Sequence, residues 1–272
     1  MTTERPNGQT RIAAAFEKAQ AAQSAALMPY FTLGYPDFET SLDVIAAIAP
    51  HSDLLELGVP FSDPIADGPT IQRSTQKALE NGITVKKCLA AVQALRDKGV
   101  ETPAMLMGYY NPILAYGQEQ FVADAAAAGV DGFLVPDLPP EEADELEALA
   151  NQHGLALIHF LAPTSNPHRI KNVATRAKGF IYMVSLTGIT GARTALADDL
   201  GAFIERVREK TNTPLAVGFG ISTPTQAGEV GQMADGVIVG SALVDAVDAA
   251  EDGAQAEAAA RFVQSLQAGL VK

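Results

Sequence analysis

The chain has 272 residues, 47% hydrophobic and 19% charged, with a formal net charge of −13. That composition supplies a large apolar core and excludes a disordered polyampholyte. The negative charge, with no Lys/Arg run to offset it, works against nucleic acid or an anionic membrane as partner.

The single cysteine, Cys88, sits in the helical-looking "VKKCLAAV"; it gives no disulfide framework and no metal-ligand cluster, and it reads as a plain helix residue. The first 20 residues lack a signal-peptide core, and no stretch offers 18 uninterrupted apolar residues, so a reducing, cytoplasmic location is expected.

In chain order, a helix over about residues 10 to 22 comes first. Short apolar runs then recur: "ALMPYFTL" (26 to 33), "DLLELGV" (53 to 59), "PAMLMGYY" (103 to 110), "DGFLVPDL" (131 to 138), "LALIHFLA" (155 to 162), "GFIYMVSL" (179 to 186), "PLAVGFG" (214 to 220) and "DGVIVGS" (235 to 241). Amphipathic or Ala-rich segments of crossover-helix length separate them, for example "DFETSLDVIAAIA" and "EEADELEALANQHG". Eight strands, each followed by a helix, predict a single (β/α)8 TIM barrel over residues 1 to 272, with the extra N-terminal helix closing its bottom. A doubly wound open sheet is the alternative architecture.

A barrel places its functional groups just after the strands. The unusual residues do lie there: "GYPD", "PFSDPIADGPT", "YNP", "PDLPPEE", "APTSNP" and "TGITGAR" follow strands one to six. Within "DLLELGV", strand alternation puts Leu54, Glu56 and Gly58 on one face and Leu55 and Leu57 on the other. With the leucine pair against the helices, Glu56 points into the barrel mouth, where desolvation raises its pKa toward that of a general acid/base. The other reading is a buried glutamate paired in the core. Asp63 and Asp67 follow in a Pro/Gly-shaped loop, and spacing does not separate a functional aspartate from a turn-former or helix cap.

At the other side of the mouth, "GFGIS" and the Gly240–Ser241 opening of a short helix are glycine-rich and carry a helix N-terminus, a recurrent phosphate site after strands seven and eight. An ordinary N-cap at Ser241 and a tight turn at Gly218 and Gly220 are the plainer readings. No Lys, Arg or His occurs from Thr211 through Ala260, so a phosphate there would be held by backbone amides, hydroxyls and the helix dipole. The loop "SLTGITGARTALADD", with Gly188, Gly191 and Arg193, is a candidate lid, the alternative being a disordered surface loop.

Taken together, "YFTLGYPD", "LELGVPFSDPIADGPTIQ", "YMVSLTGITGAR", "GFGIS" and "IVGSALV" closely resemble the alpha subunit of tryptophan synthase, in order and spacing from about Arg11 to Val247. The resemblance implies a lyase that cleaves indole-3-glycerol phosphate to indole and glyceraldehyde 3-phosphate by a retro-aldol reaction. It implies Glu56 as catalytic acid/base, Asp67 as its companion, and Tyr182 beside the substrate. Thr190 would meet the aspartate when the lid closes; Gly191, Gly220, Gly240 and Ser241 would bind phosphate; Tyr30 and Met107 would line the indole pocket.

The resemblance further implies a beta-subunit partner carrying pyridoxal phosphate in an αββα complex, contacted through loops that include Pro60 and Asp63, and no cofactor in this chain. Two departures stand out: Leu186 where some members carry an arginine, and Tyr30 where phenylalanine is expected, so that its hydroxyl needs a partner or solvent. His159 is read as a core histidine. Another phosphosugar barrel should show strand-end metal-binding histidines or paired aspartates that this chain lacks; a barrel that only activates a partner fits poorly with intact Glu56 and Asp67.

Overall fold

Each of the eight apolar runs forms a parallel strand, and the strands pair in sequence order until the last meets the first. The computed structural model describes residues 6–184, 193–218 and 220–270, with the backbone alone over 193–198. The strands are β1 (Ala26–Thr32), β2 (Leu55–Gly58), β3 (Ala104–Met107), β4 (Gly132–Leu134), β5 (Ala156–Leu161), β6 (Ile181–Val184), β7 (Leu215–Gly218) and β8 (Gly236–Val239). β1 pairs with β8 in the register Ala26↔Gly236, which closes the ring and rules out the open sheet.

α1 (Gly8–Ala21) precedes the barrel. Around the ring lie α2 (Phe38–Ile48), α3 (Pro69–Glu80), α4 (Val85–Asp97), α5 (Tyr110–Tyr116), α6 (Gln118–Ala128), α7 (Asp144–Gln152) and α8 (Pro167–Arg176). The circuit ends with α9 (Arg193–Arg208), α10 (Pro224–Gly231), α11 (Ser241–Asp248) and α12 (Gln255–Gly269).

The apolar side chains divide into two bodies. Leu55 and Leu57 belong to the layer between strands and helices, whereas Leu54 joins Met28, Met105 and Ile158 inside the ring. Ile12, Ala15, Phe16 and Ala19, spaced as one helical stripe, bring α1 against that interior from below, with the Phe16 and Phe180 rings 5.5 Å apart. α1 therefore plugs the bottom of the barrel. Buried Asp131, just before β4, fixes it: Oδ1 lies 2.8 Å from Arg11 Nε of α1, while Oδ2 lies 2.7 Å from Arg96 of α4 and accepts from the Ala104 amide.

Candidate active site

Above the sealed bottom, the interior changes from apolar to polar one layer at a time. Leu54 fills the ring; two residues on, Glu56 faces the same way and is fully buried, flanked in register by Tyr30 on β1 and Met105 on β3. Among the described residues neither Glu56 carboxylate oxygen has a hydrogen-bond partner. Burial alone pushes its pKa from 4.5 up to about 8, so the carboxyl is largely protonated near neutral pH. The core-paired reading of Glu56 is thereby removed.

The loop after β2 separates its two aspartates. Asp63 is exposed, bonded by Ser62 Oγ, and its carbonyl accepts from the Ile65 amide in a turn. Asp67 instead lines the same cavity as Glu56. Gly68, not Asp67, caps α3, with Pro69 at its first position.

Tyr109, beyond the end of β3, holds Asp67: its hydroxyl donates to Asp67 Oδ2 at 3.0 Å and accepts from the Ala66 amide at 3.0 Å. Burial raises the Asp67 pKa, and the Tyr109 hydrogen bond opposes that rise by favouring the ionised form. The sequence alone does not mark Tyr109 as functional; its one signal is the alternation Met105, Met107, Tyr109, which carries it toward the mouth.

Two glycines make room for two tyrosines. A Cβ on Gly58 would lie 2.1 Å from the Tyr30 hydroxyl, and one on Gly218 would lie 2.4 Å from the Tyr182 hydroxyl. Gly218 therefore belongs to β7 and seats a neighbour's ring, rather than forming the turn expected of it; Gly220, at φ +61, makes the turn. Tyr182 stacks on Phe160 at 4.8 Å, and burial together with the Glu56 and Asp67 carboxylates holds its hydroxyl well above the usual phenol range. The Tyr30 hydroxyl finds the partner it needs: it hydrogen-bonds Thr32 Oγ1 at 3.3 Å, and Thr32 bonds Ser74 Oγ of α3 at 2.7 Å.

Glu56, Asp67, Tyr30, Met107, Tyr182, Gly220, Gly240 and Ser241 all line one cavity of about 430 Å³, a volume suited to a small organic phosphate. Glu56 and Asp67 lie toward the β2 side, and α11, with its N-terminus and Asp245, lies on the β8 side. Gly240 occupies the cap position of α11 and Ser241 its first turn, with no side-chain cap bond, so the N-cap reading of Ser241 does not hold. No Lys, Arg or His side chain is among the described cavity-lining residues. The lid positions Thr190 and Gly191, with Leu186 and Gly188, lie outside the described residues, as does the side chain of Arg193.

His159 points away from the cavity, buried between β5 and α7 with Nε2 3.3 Å from Glu147; burial lowers its pKa. Among the described residues no group of three or more His, Cys, Asp or Glu side chains could hold a metal ion, and no helix is long and apolar enough to cross a membrane.

The family model described as tryptophan synthase alpha chain matches residues 16–270. The tryptophan synthase alpha chain of Chloroflexus aurantiacus is 51% identical over 97% of this chain and 99% of its own length; that of Roseiflexus sp. is 51% identical over 95% and 99%. Among solved structures, Mycobacterium tuberculosis tryptophan synthase superposes with TM-score 0.88 at 38% identity, covering 98% of this chain and 100% of the matched chain. An alpha subunit from Legionella pneumophila superposes with TM-score 0.87 at 38% identity, covering 95% and 97%. With the match running from α1 through α12 and so across every strand of the barrel, the chain belongs to the tryptophan synthase alpha chain family.

Proposed function

We propose that Glu56, Asp67 and Tyr182 carry the chemistry of the alpha reaction, with Tyr30 and Met107 against the indole, Thr190 meeting Asp67 when the lid closes, and Gly191, Gly220, Gly240 and Ser241 toward the phosphate. The chain is a carbon–carbon lyase of tryptophan biosynthesis, cleaving indole-3-glycerol phosphate to indole and glyceraldehyde 3-phosphate. The observation that carries the residue assignment is the buried, unpartnered Glu56 carboxyl facing a cavity it shares with Asp67.

Breaking the bond between indole C3 and the glycerol chain first requires a proton at C3, which leaves positive charge on the ring nitrogen. A carboxyl held protonated near neutral pH supplies that proton. The resulting carboxylate takes the proton of the adjacent glycerol hydroxyl; the C–C electron pair returns to the ring as the aldehyde forms, neutralising the ring charge. Glu56 ends as it began. Asp67, kept toward its ionised form by Tyr109, accepts the indole N–H and stabilises the transient charge.

A beta subunit is the partner implied by the family, and we place pyridoxal phosphate there, in an αββα assembly, rather than in this chain. Ile65, 85% exposed in the loop after β2, and Leu114, 49% exposed on α5, lie on the loops after β2 and β3, where that contact is expected. The chain is placed in the cytoplasm and acts as one domain.

The test is indole release from indole-3-glycerol phosphate by the purified chain, alone and with a tryptophan synthase beta subunit. Glu56→Gln is expected to fold, to bind a glycerol phosphate, and to lose at least about a hundredfold in cleavage. Turnover retained by that variant would remove Glu56 from the acid/base role.

A further inference from the structure

One acidic residue lies where an incoming phosphate would least favour it. Asp245 stands one helical turn after Ser241 on α11, so the two occupy the same helix face, and both line the cavity. A carboxylate there opposes the favourable N-terminal end of α11 and would repel a phosphate dianion.

The structure pairs that carboxylate from the other side of the mouth. Arg73, one turn into α3, sets its guanidinium 3.3 Å from Asp245 Oδ1 and also donates to Asp248, which accepts from the Tyr35 hydroxyl as well. Thr70 Oγ1 lies 3.4 Å from the same Asp245 oxygen. Helix α3 begins two residues after Asp67, so the residues that offset Asp245 come from the segment that continues the loop bearing Asp67.

We propose that Arg73 is a positioning residue for the phosphate end of the substrate: it masks the Asp245 carboxylate and so allows a dianion to settle at the α11 N-terminus. This rests on the phosphate reading of that site given above. Arg73 and Asp245 side chains are 54% and 58% exposed, so the effect is a modest, salt-sensitive one acting on binding rather than on bond cleavage.

The experiment is a double-mutant cycle on the full chain, with glycerol 3-phosphate binding followed by calorimetry and KM and kcat followed by indole release. Arg73→Gln is expected to weaken binding and raise KM by about three- to fivefold at low salt, with kcat unchanged and the loss shrinking near 0.5 M salt. Asp245→Asn is expected to bind at least as tightly as wild type, and the double variant to return to within about twofold of Asp245→Asn.

A loss at Arg73→Gln that persists fully in the Asp245→Asn background, or no loss at all, overturns the inference; so does weaker binding by Asp245→Asn alone, a result that does not depend on Arg73→Gln folding. Ser241→Asp separates the two levels. If it abolishes binding while Arg73→Gln does not weaken it, only the role of Arg73 falls. If it binds like wild type, the phosphate site itself is elsewhere and both readings fall.

Discussion

Glu56 ties stability and the proposed catalysis to pH in the same direction: both fall as its proton is lost. Its folded pKa, about 8, lies above the ordinary 4.5, so between those values the unfolded chain loses a proton that the folded chain keeps. Stability therefore falls as pH rises through that window and stays reduced above it, by up to about 5 kcal/mol at 1.36 kcal/mol per pH unit. Glu56→Gln removes the ionisable group: the variant is expected to match wild type near pH 5 and to be more stable at pH 8.5 in urea unfolding, and equal midpoints at both pH values would refute the raised pKa. For the same reason kcat/KM should decline as pH rises through about 8, where the acid form is lost. Strand alternation made Glu56 legible in the sequence, because a carboxyl on the inward face of "DLLELGV" is costly to bury and marks a position where chemistry outweighs packing. Spacing did not separate Asp67 from Asp63; the resemblance did, and the fold supplies the physical difference, the Tyr109 hydroxyl arriving from beyond the end of β3.

Strands and the glycines within them set the shape of the mouth. Gly218→Ala would drive a methyl to 2.4 Å from the Tyr182 hydroxyl and 2.9 Å from its ring, both backed by the stacked Phe160. The expected result is a destabilisation of about 1–3 kcal/mol by overpacking, with a raised KM for indole-3-glycerol phosphate. Combining it with Tyr182→Phe, which deletes the nearest clashing atom, should recover part of the stability; no cost for the single variant would show that the ring moves freely. All eight apolar runs mark real strands, yet the ordered strands are shorter than the runs, as with Gly132–Leu134 inside "DGFLVPDL". Apolar residues trimmed from that run are still buried: Val135 and Leu138 are covered although they lie outside the sheet. Hydrophobicity records burial, and pairing needs backbone geometry as well.

For the molecule as a whole, function and stability sit at opposite ends of the barrel. Asp131 ties Arg11 and Arg96 together below the ring, distant from the cavity lining. Asp131→Ala leaves two largely buried guanidiniums without that carboxylate and is expected to cost about 3–5 kcal/mol. Thermal unfolding should show the loss, while kcat well below the transition stays within about twofold of wild type; a large fall in kcat with stability unchanged would contradict that division. The barrel was legible from repetition and the plug from the spacing of Ile12, Ala15, Phe16 and Ala19. The Asp131 clamp was not, because its members are far apart in the chain and meet only after closure.

That closure also has a meaning in time. The first strand made, β1, takes its second neighbour from the last, β8, with Ala26 opposite Gly236. As the polypeptide leaves the ribosome, one edge of β1 and the inward stripe of α1 wait through the synthesis of nearly the whole circuit. The finished barrel has no open edge for another chain to join, but the growing one does. Its most vulnerable interval is set by how long translation takes to reach "GVIV".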